Sequence, residues 1–203
     1  MVTPKGRATR DRIVAAAATL MNARGVAGTS TEDVQAAADV SASQIYHYFT
    51  DKRSLTRAVI EYQTDTIVGI QETLLVQLDN VDALRAWAEL IVAFQRNAGY
   101  RGGCPLGTLA SELAENDTDA RVDLAAGYRR WQQAIRGGLA AMADRREFLQ
   151  GTDIDRLAIA LLAALQGGLL LSKTLRDGEP LETALNTMID HIESFTAAGT
   201  QRS

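Results

Sequence analysis

The chain has 203 residues, with 21 Lys and Arg against 25 Asp and Glu, a formal net charge of −4 and a sequence pI of about 5.2. That length suits one medium domain or two small ones with a self-sufficient core, and a single cysteine excludes an internal disulfide and a Cys-rich zinc site. Three prolines, 46% apolar and 5% aromatic residues exclude a disordered or collagen-like chain and point to an all-α fold, while the acidic balance taken whole argues against a nucleic-acid partner.

Met1 to Arg12 carries Lys5, Arg7, Arg10 and Arg12, but the residues behind it are alanine-dominated and amphipathic, unlike the apolar block of a signal peptide. Ile13, Ala17, Leu20 and Met21 recur at helical spacing up to Gly25, a residue suited to closing a helix in the left-handed conformation. Thr29-Ser30-Thr31-Glu32-Asp33 then supplies hydroxyls followed by acids, an N-cap whose charges favour the helix dipole. Val34, Ala37 and Ala38 make a short inner face that breaks at Asp39-Val40-Ser41. Ser41 caps a second short helix with Ile45, Tyr48 and Phe49 inside, and Thr50-Asp51 caps a long helix running from Lys52 through Val59 and Tyr62 towards Leu78. Two short helices, a three-residue turn and a longer supporting helix in front describe a helix-turn-helix. Its second helix presents Ser43, Gln44, Tyr46 and His47 outward. Gln suits bidentate pairing with adenine, and Ser and Tyr suit phosphate oxygens.

The run from Thr29 to Leu55, with Ile45-Tyr46-His47-Tyr48-Phe49 followed by Asp51-Lys52 and Leu55, resembles the DNA-binding head of TetR-family transcriptional regulators, closely over Arg10 to Ile60. The resemblance implies a recognition helix from Ala42 to Tyr48. It implies DNA contacts from Thr31, Ser41, Ala42, Ser43, Gln44, Tyr46 and His47, and a phosphate held by Lys52. Two positions depart from the family pattern. Asp39 stands where Gly is common, and Asp tolerates the left-handed conformation better than most residues. Ala42 stands where Lys is frequent, which shifts phosphate binding to Lys52 and to the arm with Lys5, Arg7 and Arg10. Residues 1–60 hold 8 basic and 5 acidic side chains, a surplus of +3, whereas residues 61–203 hold 13 and 20, a deficit of −7. Such asymmetry fits one end meeting a polyanion.

Further on, Leu84, Trp87, Ala88, Ile91 and Phe94 mark an amphipathic helix from Val81 to Ala98. Gly99 to Leu106 is a loop ending in Pro105 at the first turn of a short helix with Leu109 and Leu113 inside. The segment Gly103-Cys104-Pro105-Leu106-Gly107-Thr108-Leu109, with Ser111-Glu112-Leu113, resembles the LmrA/YxaF-like branch of the family, regulators of multidrug-type resistance genes, some responsive to flavonoid-like aromatics. Thr118 caps a long helix with Leu124, Tyr128, Trp131, Ile135, Leu139 and Met142 on one side. Another helix carries Ile154, Leu157, Ala158, Leu161, Leu162, Leu165 and Leu169; the last carries Leu181, Leu185, Met188, Ile189, Ile192 and Phe195.

The longest apolar run, Leu157 to Ser172, is 16 residues, short of the roughly 20 a membrane span needs, so it reads as buried helix in a soluble, cytoplasmic protein with no membrane partner. Its excess apolar surface calls for a second copy, with Leu161, Leu165, Leu169, Met188 and Ile192 at a homodimer interface. An effector pocket in the body draws on Phe94, Tyr128 and Trp131, with Cys104 and Gln166 as polar or polarisable contacts. The expected organisation is thus a DNA-binding domain over 1–55 and a helical ligand-binding and dimerisation domain over 56–203. The expected function is a ligand-responsive regulator, a repressor, whose dimer binds a palindromic double-stranded operator and is released by a small hydrophobic or aromatic effector, without cofactor, metal or catalysis. Alternatives are a redox sensor or an enzyme using Cys104, and an architectural DNA-binding protein. Neither His47 nor His191 lies near Cys104 in sequence to serve as its base.

Overall fold

The computed structural model describes residues 4–196 and Gly199, and among these the chain is helical, with one isolated β-bridge between Phe148 and Thr196. The helices are α1 (Pro4–Arg24), α2 (Thr31–Ala38), α3 (Ala42–Tyr48), α4 (Lys52–Leu75), α5 (Val81–Asn97), α6 (Pro105–Leu113), α7 (Thr118–Asp144), α8 (Ile154–Leu175) and α9 (Glu179–Glu193). The all-α architecture with an N-terminal helix-turn-helix follows the sequence patterning closely. The long fourth helix stops at Leu75, a turn earlier than the spacing predicts.

The backbone packs as two compact units, one of Met1–Ile67 with Pro105–Gly127, the other of Val68–Cys104 with Tyr128–Ser203. This division is not the one after residue 55. Segments distant in sequence join the first unit through side chains that no local pattern reveals. Arg53 makes a bidentate pair with Asp117 at 2.7 and 2.8 Å and reaches Asp119 at 3.1 Å, and Arg57 grips Asp123 at 2.6 and 3.1 Å.

Glu112 of α6 accepts the Val26 N–H at 2.8 Å and the Ala27 N–H at 3.3 Å, holding the turn that follows α1. Gly25 makes that approach possible. Its φ is +78°, and a Cβ there would stand 2.6 Å from a Glu112 carboxylate oxygen. Gly25→Ala should therefore destabilise the fold by about 1–3 kcal/mol, the cost of a left-handed non-glycine residue, with Glu112 displaced as well. Urea denaturation of the variant checks this as a lower midpoint at unchanged slope.

Asp117, rather than Thr118, caps α7, accepting the Ala120 N–H at 3.0 Å. The paired Arg53 guanidinium, with help from that N–H, lowers the Asp117 carboxyl from 3.8 to about 2. A carboxyl depressed by folding stabilises the native state above pH 3.8, and this contribution disappears as the pH falls through about 2. The stability difference between the wild type and Asp117→Asn should accordingly shrink between pH 4 and pH 2, as read by urea melts at stepped pH.

In the second unit α9 packs against α5 and α8. Leu157, Leu161, Leu165 and Leu169 of α8 and Leu181, Leu185, Ile189 and Ile192 of α9 are buried. Gly168 lets the helices close, since a Cβ there would meet the Leu181 backbone at 2.9 Å. Helix α8 is 22 residues, longer than the 16-residue apolar run, and is long and apolar enough to cross a membrane by length and composition. One face of it is nonetheless core.

Candidate functional site

The head is built by local capping. Ser30 Oγ accepts the Asp33 N–H at 3.0 Å while Asp33 accepts the Ser30 N–H at 3.0 Å, a reciprocal box that starts α2. Asp39 ends α2 in the left-handed region, at φ 52° and ψ 58°, the conformation expected of Asp in place of Gly. Ser41 and Gln44 then repeat the box at the start of α3, with Gln44 Oε1 accepting the Ser41 N–H at 2.8 Å and Ser41 Oγ accepting the Gln44 N–H at 3.3 Å. Ile45 and Phe49 are buried against the rest of the head, so the opposite side of α3 is fixed outward. Helix α1 touches both α2 and α3.

That outward side carries Ser41, Ala42, Ser43, Gln44, Tyr46 and His47, all exposed, with Tyr46 58% accessible. Thr31 and Lys52 are half-buried at the first turns of α2 and α4. The His47 ring meets Tyr48 edge to face at 4.9 Å, which restrains it from the helix side. Two expectations change in detail. Gln44 Oε1 is engaged in the cap, so a bidentate pairing with adenine would require that bond to open. Arg10 lies over the Phe49 ring, 5.5 Å from its centroid, so it braces α3 instead of extending an arm.

Charge in the head is likewise redistributed. Arg24 pairs with Asp33, Arg53 with Asp117 and Asp119, and Arg57 with Asp123. Much of the +3 surplus of residues 1–60 is therefore answered within the first unit. Lys5, Arg7, Arg12 and Lys52 enter no ion pair among the described residues, and these are the cations at hand for phosphates.

The second unit holds the residues expected to meet an effector. Trp131 of α7 is 2% exposed and its indole N–H has no acceptor; the Gln166 Nε2 of α8 is also buried and unpartnered. Tyr128 is half-buried, and desolvation, with a contribution from Cys104, raises its phenol well above the ordinary value of 10. Cys104 is itself buried, which withholds its thiol from bulk solvent. Beside it, a Cβ on Gly103 would stand 3.0 Å from the Lys173 stem.

Phe94 does not join this group. It is 71% exposed, because the buried positions of α5 are Leu84, Trp87, Ala88, Val92 and Gln95. At 3.6 residues per turn, eleven steps from Leu84 return to about the same face and ten steps fall about 80° short of it. The interface residues also need correction. Leu161, Leu165, Leu169 and Ile192 are inside the second unit, where α8 and α9 pack on each other, and Met188 is half-buried there. The outward side of α8 is instead Ile159, Ala163, Gly167, Leu170, Leu171 and Leu175. The sequence did not separate the two faces because both are apolar.

Also unforeseen is an open groove of about 480 Å³ beside α9, lined by Tyr100, Asp177, Glu179, Glu182 and Asp190 among others. Arg96 pairs with Glu182 and Arg85 with Asp190, so these groove acids already have partners.

Residues 13–59 match the family model described as bacterial regulatory proteins, tetR family, and residues 80–188 match a tetracyclin repressor-like C-terminal domain. An uncharacterised HTH-type transcriptional regulator in the lacX 3′ region of Lactococcus lactis subsp. lactis is 30% identical over 92% of this chain and 94% of its own. The HTH-type regulator YxaF of Bacillus subtilis is 24% identical, covering 85% and 88%, in keeping with the branch resemblance around Cys104. A TetR transcriptional regulator from Chloroflexus aurantiacus has a crystal structure that superposes with a TM-score of 0.82 at 28% identity, covering 96% of this chain and 98% of that one.

Proposed function

This chain belongs to the TetR family of bacterial regulators, whose members are DNA-binding transcriptional regulators and not enzymes, and from that premise we propose that it is a cytoplasmic, ligand-responsive repressor. In this reading two copies bind a palindromic operator, each inserting α3 into a major groove, and a small hydrophobic effector bound in the second unit releases them. The observation that carries it is the outward face of α3, held by a capping box on one side and by Ile45 and Phe49 on the other, with Tyr46 standing free of the core. The residues proposed to contact DNA are Thr31, Ser41, Ala42, Ser43, Tyr46 and His47, with Lys52, Lys5 and Arg7 on phosphates and Gln44 once its cap bond opens.

The proposed dimer uses the outer stripe of α8. Ile159, Leu170, Leu171 and Leu175 flank the small Ala163 and Gly167, an arrangement in which two copies of the helix can approach closely about a twofold axis. Two recognition helices presented about 34–36 Å apart read half-sites one turn apart. The effector is proposed to bind at Tyr128, Trp131, Gln166 and Cys104. It acts by its differential affinity for the DNA-competent and released states; a 100-fold shift corresponds to about 2.7 kcal/mol of coupling.

Selection of bound duplexes from a random pool at fixed salt tests the proposal. It predicts a palindromic consensus and a ratio of specific to non-specific affinity of about 10³ or more. A pool without consensus, bound with a steep salt dependence alone, would be the behaviour of an architectural protein.

A further inference from the structure

Gln44 is the third residue of α3, and the two ends of its amide are in different situations. Its Oε1 accepts the Ser41 N–H at 2.8 Å and the Ser41 hydroxyl at 3.2 Å. A backbone N–H can only donate, so the end of the amide that faces it must be the oxygen. An amide oxygen has two lone pairs, and here both are engaged. The nitrogen is the other end. Gln44 is exposed, and among the described residues its Nε2 has no acceptor, which leaves two N–H groups on the outward side of α3.

This orientation is held from several sides. Ser41 Oγ accepts the Gln44 N–H at 3.3 Å and lies 2.9 Å from Ser43 Oγ. The next residue, Ile45, is buried in the head, so the inner face of α3 keeps Gln44 in register with its cap.

An acceptor that is already filled changes what the side chain can read. Pairing with adenine uses both ends of a glutamine amide, with Nε2 donating to N7 and Oε1 accepting from N6. With the box closed, only the donors remain. On the major-groove edge guanine offers two acceptors, N7 and O6. Adenine sets its N6 donor beside N7, thymine sets a methyl group beside O4, and cytosine offers a donor. Two N–H groups on one nitrogen match guanine at both positions and meet at least one mismatch on every other base.

We propose that Gln44 reads a guanine in each half-site through Nε2 alone, with the capping box closed, so that the bonds that start the recognition helix also set its base preference. The inference rests on the reading of α3 as the helix that enters the major groove. It replaces an adenine contact, which needs the box to open, by a guanine contact that does not.

Site selection from random duplexes with the full-length wild type, Gln44→Ala and Gln44→Glu tests it, each variant being checked for helix content by circular dichroism. Glutamate serves equally at the third position of a capping box, so Gln44→Glu keeps the start of α3 and turns the outward donor into an acceptor. The wild type should select one guanine per half-site whose replacement by adenine in both half-sites weakens binding about tenfold or more at fixed salt. In both variants that preference should fall below about twofold, with the other consensus positions unchanged. The added charge of glutamate lowers affinity for every duplex alike, so base preference is the quantity read. If one variant does not fold or bind, the other decides, together with wild-type binding to 7-deazaguanine at that position, expected to be weaker by about threefold or more. Adenine, thymine or cytosine at the position altered by Gln44→Ala, or one consensus shared by the wild type and both variants, would overturn the proposal and leave the regulator reading standing. A wild-type pool without consensus would defeat that reading and this inference with it.

Discussion

Tyr46→Ala should weaken binding to the selected operator by about 30-fold or more, while the dimer and the unfolding midpoint stay unchanged. The ring is exposed on a helix whose packing depends on Ile45 and Phe49, so truncation removes surface and little core. A good groove contact provides about 1–3 kcal/mol of discrimination, and a twofold complex makes it twice. Two such losses total about 2–6 kcal/mol, and each 1.4 kcal/mol is tenfold. Fluorescence anisotropy at one salt concentration, alongside urea denaturation, measures both quantities. Phe49→Ala is the informative contrast. Phe49 is buried and stacked under Arg10, so that change should lower head stability by about 3–5 kcal/mol and lose binding through unfolding. Operator affinity unchanged by Tyr46→Ala would remove α3 as the reading helix.

Leu171→Arg should convert the proposed dimer to a monomer. Leu171 lies on the outward stripe of α8, between Leu170 and Leu175, while the opposite stripe is closed by α9. Fully burying a leucine is worth about 1.5–3 kcal/mol, and twofold symmetry doubles it. Placing two unpaired guanidiniums in the same interface adds desolvation to the loss. A shift of at least about 4 kcal/mol, on the order of a thousandfold in the dimer dissociation constant, is expected from sedimentation equilibrium. Affinity for a full palindrome should then fall to that for a single half-site. Leu165→Arg, by contrast, places the charge in the core of the second unit and should prevent folding. A Leu171→Arg protein that still sediments as a dimer would place the interface elsewhere.

The head was legible because its signals are short-range. Ser30 with Asp33 and Ser41 with Gln44 are capping pairs three residues apart, Asp39 is a residue that accepts the left-handed turn, and the inner positions recur at helical spacing. Physical rules of that reach can be read directly from residue order. The candidate effector group was legible in part. Tyr128, Trp131, Gln166 and Cys104 all fall in one unit with buried atoms, but Phe94 does not, because a difference of one residue within a turn of α5 separates Gln95 inside from Phe94 outside.

What remained hidden depends on contacts between distant segments. Asp117, just before α7, and Asp119 and Asp123 in its first turns pair with Arg53 and Arg57, more than sixty residues away, and reduce the charge available for DNA. Glu112, on the short helix α6, holds the turn after α1 through two backbone N–H groups, a contact between residues more than eighty positions apart. Helix α8 is apolar on both sides, and only the position of α9 decides which leucines are core and which are exposed. Sequence periodicity reports that a face is apolar and is silent about what covers it.

In the proposed function two copies of α3 read two half-sites at a fixed spacing, a requirement that DNA geometry makes testable. Its most direct measurement is binding of the full-length protein to the selected palindrome and to the same duplex with about five base pairs, half a helical turn, inserted between the half-sites. Two protomers should bind the first duplex at nanomolar concentrations, and the insertion should reduce affinity to that of an isolated half-site. Equal affinity for the two duplexes would show that the two half-sites are not read together by a twofold dimer.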